Sequence, residues 1–151
     1  MIRFAPFIAI LWAGIAIGAT LIATPVKFLA PSLALSTALE IGRATFYWVG
    51  IAEAVLCAIF IIAVFAFGGI RWTFAFVPIA LFAIQRLGLM PILDSRTVEI
   101  IAGNSVEDSN LHVVYIYFEF AKIIALLVVS ALGIFSLKNE KRARANVPQS
   151  L

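Results

Sequence analysis

The sequence predicts an all-α integral membrane protein, built as a bundle of four transmembrane helices. Of its 151 residues, 64% are hydrophobic and only 13% are charged, whereas soluble domains are about half apolar and a quarter charged. The apolar residues also form four long blocks, each near the roughly 20 residues that a helix needs to cross a bilayer. We therefore interpret residues 1–137 as one domain of four membrane spans, with the lipid bilayer as a partner.

The first span is predicted over residues 4–23. Pro6 lies in its first turn, where a missing N–H costs little, and Gly14 and Gly18 form a G-x-x-x-G face that permits close helix contacts. The apolar stretch is longer than the roughly 7 to 15 residues of a signal peptide's core, so we expect a span and not a cleaved leader. Two prolines within residues 24–32 predict the end of this helix and an amphipathic connector at the membrane surface.

The second span is predicted over residues 43–67. It opens with three consecutive aromatic residues at 46–48, a composition typical of the membrane–water interface. Gly68 and Gly69 follow and predict a tight turn before the third span.

The third span is predicted over residues 71–90, with Pro78 in its middle as the site of a kink. Pro91 is expected to end this helix, because proline lacks the N–H that continues an α-helix. Residues 92–110 form the one long polar segment inside the chain and are predicted to be a loop, of a length that is often functional.

The fourth span is predicted over residues 111–137, followed by a basic and frayed tail, residues 138–151. With an even number of spans, both termini and the glycine turn lie on the same side of the membrane. That side collects Arg3, Arg71, Lys138, Lys141, Arg142 and Arg144. This excess of positive charge predicts that the side is cytoplasmic, and the signature fits a bacterial inner membrane.

Two spans contain ionisable residues, which are costly in a bilayer unless they are paired or hydrated. Those of the fourth span recur at spacings of three and four and share one helical face: His112, Tyr115, Glu119 and Lys122. A second stripe, on the second span, consists of Arg43, Phe46, Gly50, Glu53 and Cys57. Both stripes must face protein or water and not lipid.

Glu53 and Lys122 are predicted to lie at matching depth. Each follows the first polar residue of its stripe by ten positions, which puts both about 15 Å below the outer boundary. If the second and fourth helices are neighbours, the two side chains form an ion pair, with Glu119 as a second acceptor. The cluster then either fixes the register of the helices or, because one carboxylate is in surplus, titrates as a proton or ligand site. Both interpretations stay open.

A polar mouth is predicted where the spans open on the outer side. Its residues are Lys27, Arg43, Gln85, Arg86, Asp94, Arg96 and His112. Snorkelling at the interface explains an isolated Lys or Arg equally well, but Gln85 and Arg86 precede the end of the third span by about one turn. A carboxylate, a phosphate or an anionic headgroup would suit these charges.

The residue inventory argues against several cofactors and partners. His112 is the only histidine, which excludes a haem with two histidine ligands, and neither Glu53 nor Glu119 precedes a histidine as a di-iron site requires. Methionine and cysteine are too few for copper. We therefore expect no metal and no cofactor. The basic residues are not interleaved with aromatic ones, so we expect no nucleic-acid partner.

Three short motifs follow one another along the chain: residues 14–25 with Phe28, Gly42-Arg43-x-Thr45-Phe46, and Leu111-His112. Together they resemble the transmembrane protein 205-like family and related small bacterial membrane proteins of unknown function. The resemblance covers most of the chain and implies a four-helix membrane bundle. The drug-resistance association of the family's eukaryotic members implies a loose link to transport, although the charged stripe of the fourth span departs from the family pattern.

The function predicted first is a non-enzymatic membrane protein that binds or moves a small ion, a proton or an anionic ligand through an outward-opening pocket between the second and fourth helices. The candidate residues are the titrating core Glu53, Glu119 and Lys122, Tyr115 on the same stripe, and the entrance residues Arg43, Gln85, Arg86 and His112. One alternative is a homo-oligomeric or accessory subunit of a larger membrane complex, held through the G-x-x-x-G face. Another is a quinone- or lipid-linked enzyme, although no nucleophile elbow or other catalytic motif is present.

Overall fold

The computed structural model describes residues 4–67 and 72–145, and all regular structure within these ranges is helical. The helices are α1 (Ala5–Leu29), α2 (Leu35–Phe67), α3 (Trp72–Ala83, Ile84–Leu89 and Met90–Ile101, without a break) and α4 (Leu111–Ala145). All four are long and apolar enough to cross a membrane, in agreement with the all-α class expected. The predicted turn at Gly68 and Gly69 lies outside the described residues, as do Arg3 and Arg71 of the orientation count.

Two prolines that were expected to end helices lie within them instead. α1 passes through Pro25 and α3 passes through Pro91. A π-helical turn comes shortly before each of them, at Ile17–Ala23 and at Ile84–Leu89. Proline lacks the N–H of an α-helical turn and its ring crowds the carbonyl four residues earlier, and the wider π turn relieves this crowding. α3 ends further on, where Gly103 adopts a left-handed φ of 80°.

The connecting segments are consequently short: residues 30–34 between α1 and α2, and residues 102–110 between α3 and α4. α2 begins at Leu35, well before Arg43, and α4 stays helical to Ala145 through the tail expected to be frayed. Hydropathy marks only the apolar part of a helix, whereas glutamate, lysine and arginine continue a helix well.

The helices form a ring in chain order. α1 packs against α2 and α4, and α3 packs against the same two helices on the other side. In the described part of the chain, α2 and α4 share no extended interface and face each other diagonally across the centre. The condition on which the ion pair was predicted, that the second and fourth helices are neighbours, is therefore not met.

Small residues let α1 approach its neighbours closely. Its fully buried face carries Ala5, Ala9, Ala13 and Ala16. Trp12, on the same face, reaches the centre of the bundle and packs edge to face with Phe60 and Phe82, at ring-centroid distances of 6.2 and 5.5 Å. In the described part of the chain, the close contact expected of Gly14 and Gly18 is made by these alanines, since a Cβ built on either glycine would meet no atom within 4 Å apart from the nearby backbone of α1 itself.

The distribution of side chains is inverted relative to a water-soluble protein. Large apolar side chains cover the outside, with Phe65 80% exposed, Leu87 79% and Leu29 76%. Charged side chains lie fully buried inside, Lys122 and Glu119 among them, each 1% exposed. An apolar exterior of this extent is consistent with a multi-pass membrane protein.

Candidate functional site

A group of buried polar side chains occupies the middle of the bundle, and every helix contributes to it. Its members are Trp12 of α1, Glu53 of α2, Gln85 of α3, and Glu119 and Lys122 of α4. None of them is more than 5% exposed. We call this group the central cluster.

Lys122 holds the two carboxylates of the central cluster. Its Nζ donates to Glu53 Oε1 over 2.6 Å and to Glu119 Oε2 over 3.2 Å. The predicted ion pair, with Glu119 as the second acceptor, is thus present, although it spans the bundle and does not join adjacent helices. Trp12 Nε1 also donates to Glu53 Oε1, over 2.9 Å, and the Phe82 ring centroid lies 5.7 Å from the ammonium.

Gln85 reaches the cluster from the π turn of α3. Its Nε2 donates to Glu119 Oε2 over 2.9 Å, with the backbone carbonyl of Tyr115 at 3.4 Å. We expected Gln85 at the mouth, but it is 2% exposed and belongs to the interior. The expected position assumed that the third span ends at Pro91, whereas α3 continues to Ile101 and so leaves Gln85 well inside the bundle.

The central cluster lacks one positive charge and a hydrogen-bond donor. Its two carboxylates face a single ammonium, so its formal charge is negative if both are ionised. In the described part of the chain, Gln85 Oε1 and Glu119 Oε1 accept no hydrogen bond. Glu119 Oε1 does lie 3.1 Å from Lys122 Nζ, but the directions of the bonds do not suit a hydrogen bond. Buried acceptors without a hydrogen bond are rare in proteins and reduce the stability of the fold.

Access to the central cluster differs between its two ends. On the side toward residues 102–110, a cavity of about 10 Å³, near the minimum for one water molecule, borders Glu53 and Gln85. Phe46 and Tyr115 pack edge to face there, with ring centroids 5.8 Å apart, and both line this cavity. On the opposite side, the apolar core around Phe60 adjoins the cluster directly.

Beyond Phe46 and Tyr115 lies a second cavity of about 410 Å³, which we call the end cavity. Of the predicted mouth residues, Lys27, Arg43, Arg96 and His112 line it. Acidic side chains that the mouth did not include, Glu107 and Asp108, line it as well, so the end cavity is mixed in charge and not purely basic.

The remaining mouth residues, Arg86 and Asp94, open onto a different space, and Arg86 also borders the small cavity beside Glu53. A groove of about 610 Å³ runs between α2 and α3, and we call it the side groove. Its polar lining is Glu40, Arg43, Arg86 and Asp94, with Tyr47 and Trp48 as aromatic walls. The sequence predicts one mouth, whereas the fold divides it into two, because α3 continues as a helix through Asp94 and separates the end cavity from the side groove.

Trp12 is the member of the central cluster that the sequence analysis missed. A tryptophan in the middle of an apolar span is a usable signal, because tryptophan normally lies at the interface and its indole N–H needs a partner when buried. Within residues 4–67 and 72–145, no three His, Cys, Asp or Glu side chains converge as metal ligands would.

No family model matches the chain, and no curated protein or solved structure is detectably similar to it. The resemblance to the transmembrane protein 205-like family therefore stays a prediction. What the site can do follows from its own chemistry. It holds two buried carboxylates and one ammonium, two of its oxygen atoms accept no hydrogen bond, and its small cavity lies toward one end of the bundle.

Proposed function

We propose that the chain is a four-span membrane protein that binds a proton at Glu119 and exchanges it with the end cavity. The observation that carries this proposal is the surplus carboxylate of the central cluster: Glu119 Oε1 accepts no hydrogen bond, and neither does Oε1 of Gln85, whose Nε2 bonds to the same carboxylate.

One bound proton provides both the positive charge and the hydrogen-bond donor that the central cluster lacks. On Glu119 it leaves a neutral acid beside the neutral ion pair of Glu53 and Lys122, so no net charge is buried. It also turns Glu119 Oε1 into a donor, for which Gln85 Oε1 is an available acceptor. Since Gln85 Nε2 already bonds to Glu119 Oε2, the acid and the amide would then be joined by two hydrogen bonds.

Binding is favoured over conduction by the one-sided access. The small cavity and the end cavity approach the cluster from the side of His112, whereas the apolar core lies behind it. A proton therefore enters and leaves past Phe46 and Tyr115. Translocation would need a second conformation that opens the apolar side.

Infrared difference spectroscopy of the purified protein tests the proton site. We expect the carbonyl band of a protonated carboxylic acid at neutral pH, lost in Glu119→Gln and retained in Glu99→Gln, which changes an exposed carboxylate in the same way. If the band survives Glu119→Gln or is absent from the unmodified protein, Glu119 is not the proton site.

We also propose that both ends of the chain lie in the cytoplasm of a bacterial inner membrane, from the distribution of lysine and arginine. An impermeant maleimide applied to intact cells should label Asn104→Cys and leave Asn139→Cys unlabelled. Cys57 is buried and provides little background. The reverse labelling pattern would show that the topology is the opposite of the proposed one. If the chain does not associate with membranes, the proposed membrane location is wrong.

A second candidate, an accessory or self-associating subunit, is favoured by one observation. Gly14 and Gly18 face away from the other helices of the chain, with open space around both, and so remain available to a helix outside it. Replacing both with leucine should abolish co-purification of any partner while the monomer still folds. Unchanged co-purification would rule this candidate out.

A further inference from the structure

The side groove opens toward the surroundings of the bundle. Its walls come from α2 and α3, and its aromatic residues Tyr47 and Trp48 are 56% and 68% exposed. A tyrosine and a tryptophan exposed together are typical of the level where a membrane meets water. The groove therefore opens sideways at the level of lipid headgroups, if the chain lies in a membrane as proposed above.

Most of the charge in the side groove is already neutralised. Arg43 and Asp94 form a two-point ion pair, with Nε at 2.7 Å from Oδ1 and Nη2 at 3.0 Å from Oδ2. Glu40 is exposed and lies about one turn further out on α2 than Arg43. Neither pole of the Arg43–Asp94 pair is thus available to a ligand without breaking that pair.

Arg86 is the exception. It is half-buried, and within residues 4–67 and 72–145 its guanidinium makes no hydrogen bond and no ion pair. The guanidinium packs on the bare backbone of Gly50, where an added Cβ would lie 2.6 Å from the guanidinium carbon. Its donors therefore remain unused at the inner end of a groove large enough for a ligand. A guanidinium in this state favours a group with paired anionic oxygens, such as a phosphate.

The depth of Arg86 suits a lipid phosphate. Gly50, against which it lies, follows Tyr47 by three residues, so Arg86 is about 4.5 Å below the level of the aromatic walls. A long arginine side chain bridges such a distance toward the headgroup layer. Below the groove the exposed surface of α2 is apolar, with Val55 53% exposed and Ile62 63% exposed, which suits acyl chains.

We propose that the side groove binds the headgroup of an anionic phospholipid, with Arg86 as the ligand of its phosphate. The lipid enters from the bilayer between α2 and α3, and its acyl chains lie along the apolar surface of α2. This assignment rests on the proposed membrane location and is independent of the proton site at Glu119.

Native mass spectrometry of the full chain in mild detergent tests this site by titration with phosphatidylglycerol and with phosphatidylcholine of the same acyl chains. We expect tighter binding of phosphatidylglycerol, weakened about tenfold or more in Arg86→Gln and less in Arg86→Lys, as loss of a charge-assisted contact implies. The matched control is Arg142→Gln, which removes an exposed arginine of α4 far from the groove and should leave binding unchanged.

A second variant keeps the test decisive if Arg86→Gln does not fold. Ala44→Phe fills the side groove from an exposed position of its lining and should reduce phosphatidylglycerol binding without changing the charge. Equal affinity for the two lipids, or equal effects of Arg86→Gln and Arg142→Gln, would overturn the proposal. Binding of inorganic phosphate without any phosphatidylglycerol adduct would also overturn it, because the occupant would then be a free anion. If the chain fails to associate with membranes in the labelling experiment, the proposed membrane location is wrong, and the lipid site that rests on it is wrong as well.

Discussion

Replacing Lys122 with methionine should destabilise the bundle more than replacing Lys122 and Glu53 together. Methionine keeps the length of the lysine side chain but removes the ammonium. In the single variant, Glu53 and Glu119 lose the cation that lies 2.6 and 3.1 Å from their oxygens. In the double variant Lys122→Met with Glu53→Gln, the uncompensated carboxylate of Glu53 is gone as well.

The magnitude follows from burial. Removing one partner of a buried ion pair costs about 3–5 kcal/mol, because the other charge stays buried and unpaired. Glu53 is 5% exposed and Glu119 is 1% exposed, so water relieves little of this cost. Each keeps one neutral donor, from Trp12 at 2.9 Å and from Gln85 at 2.9 Å, so we expect about 3 kcal/mol for Lys122→Met. The double variant should lose about 1 kcal/mol, which is about 2 kcal/mol less than the loss in Lys122→Met alone.

The free energy of unfolding in mild detergent, measured by denaturant titration of helicity and of tryptophan fluorescence, provides the assay. Lys138→Met is the control, because it removes an exposed lysine from the same helix and should change stability by less than about 0.5 kcal/mol. The deficit of Lys122→Met should shrink as the pH falls, since protonation removes the unpaired charge. Equal losses in the single and double variants would refute the reasoning that the charge balance of the cluster, and not its packing alone, stabilises the bundle.

Three further predictions concern single positions. Trp12→Phe keeps the aromatic packing but removes the indole donor to Glu53, and should cost about 1.5–3 kcal/mol of unfolding free energy; no change would mean that the donor is dispensable. Ser130→Ala removes a buried hydroxyl that neither accepts nor donates a hydrogen bond in the described part of the chain. It should leave the free energy of unfolding unchanged or raise it by up to about 1 kcal/mol in the same titration. A marked loss of stability would reveal a hydrogen-bond partner for that hydroxyl. Gly50→Ala should displace the Arg86 guanidinium and weaken phosphatidylglycerol binding about tenfold, with little change in the unfolding midpoint; unchanged lipid binding would argue against Arg86 as the phosphate ligand.

The sequence by itself determined the helical class, the four apolar segments and the matching level of Glu53 and Lys122 along their helices. These properties are local: an apolar block of sufficient length is a helix that can span a bilayer, and the α-helical rise converts residue spacing into depth. For this reason Glu53, Glu119 and Lys122 could be brought together before any arrangement of helices was known. Their spacing within each helix predicted both the face and the level at which they meet.

The tertiary structure alone decided which side chains complete the cluster and where the mouth opens. The diagonal position of α2 and α4 follows from the packing of α1 and α3 between them, which no pattern within one helix specifies. α3 continues through Pro91, and its π turn holds Gln85 against Glu119 and Arg86 against Gly50. Residue spacing assumes a constant helical period, and a π turn changes that period through contacts that only the assembled bundle provides.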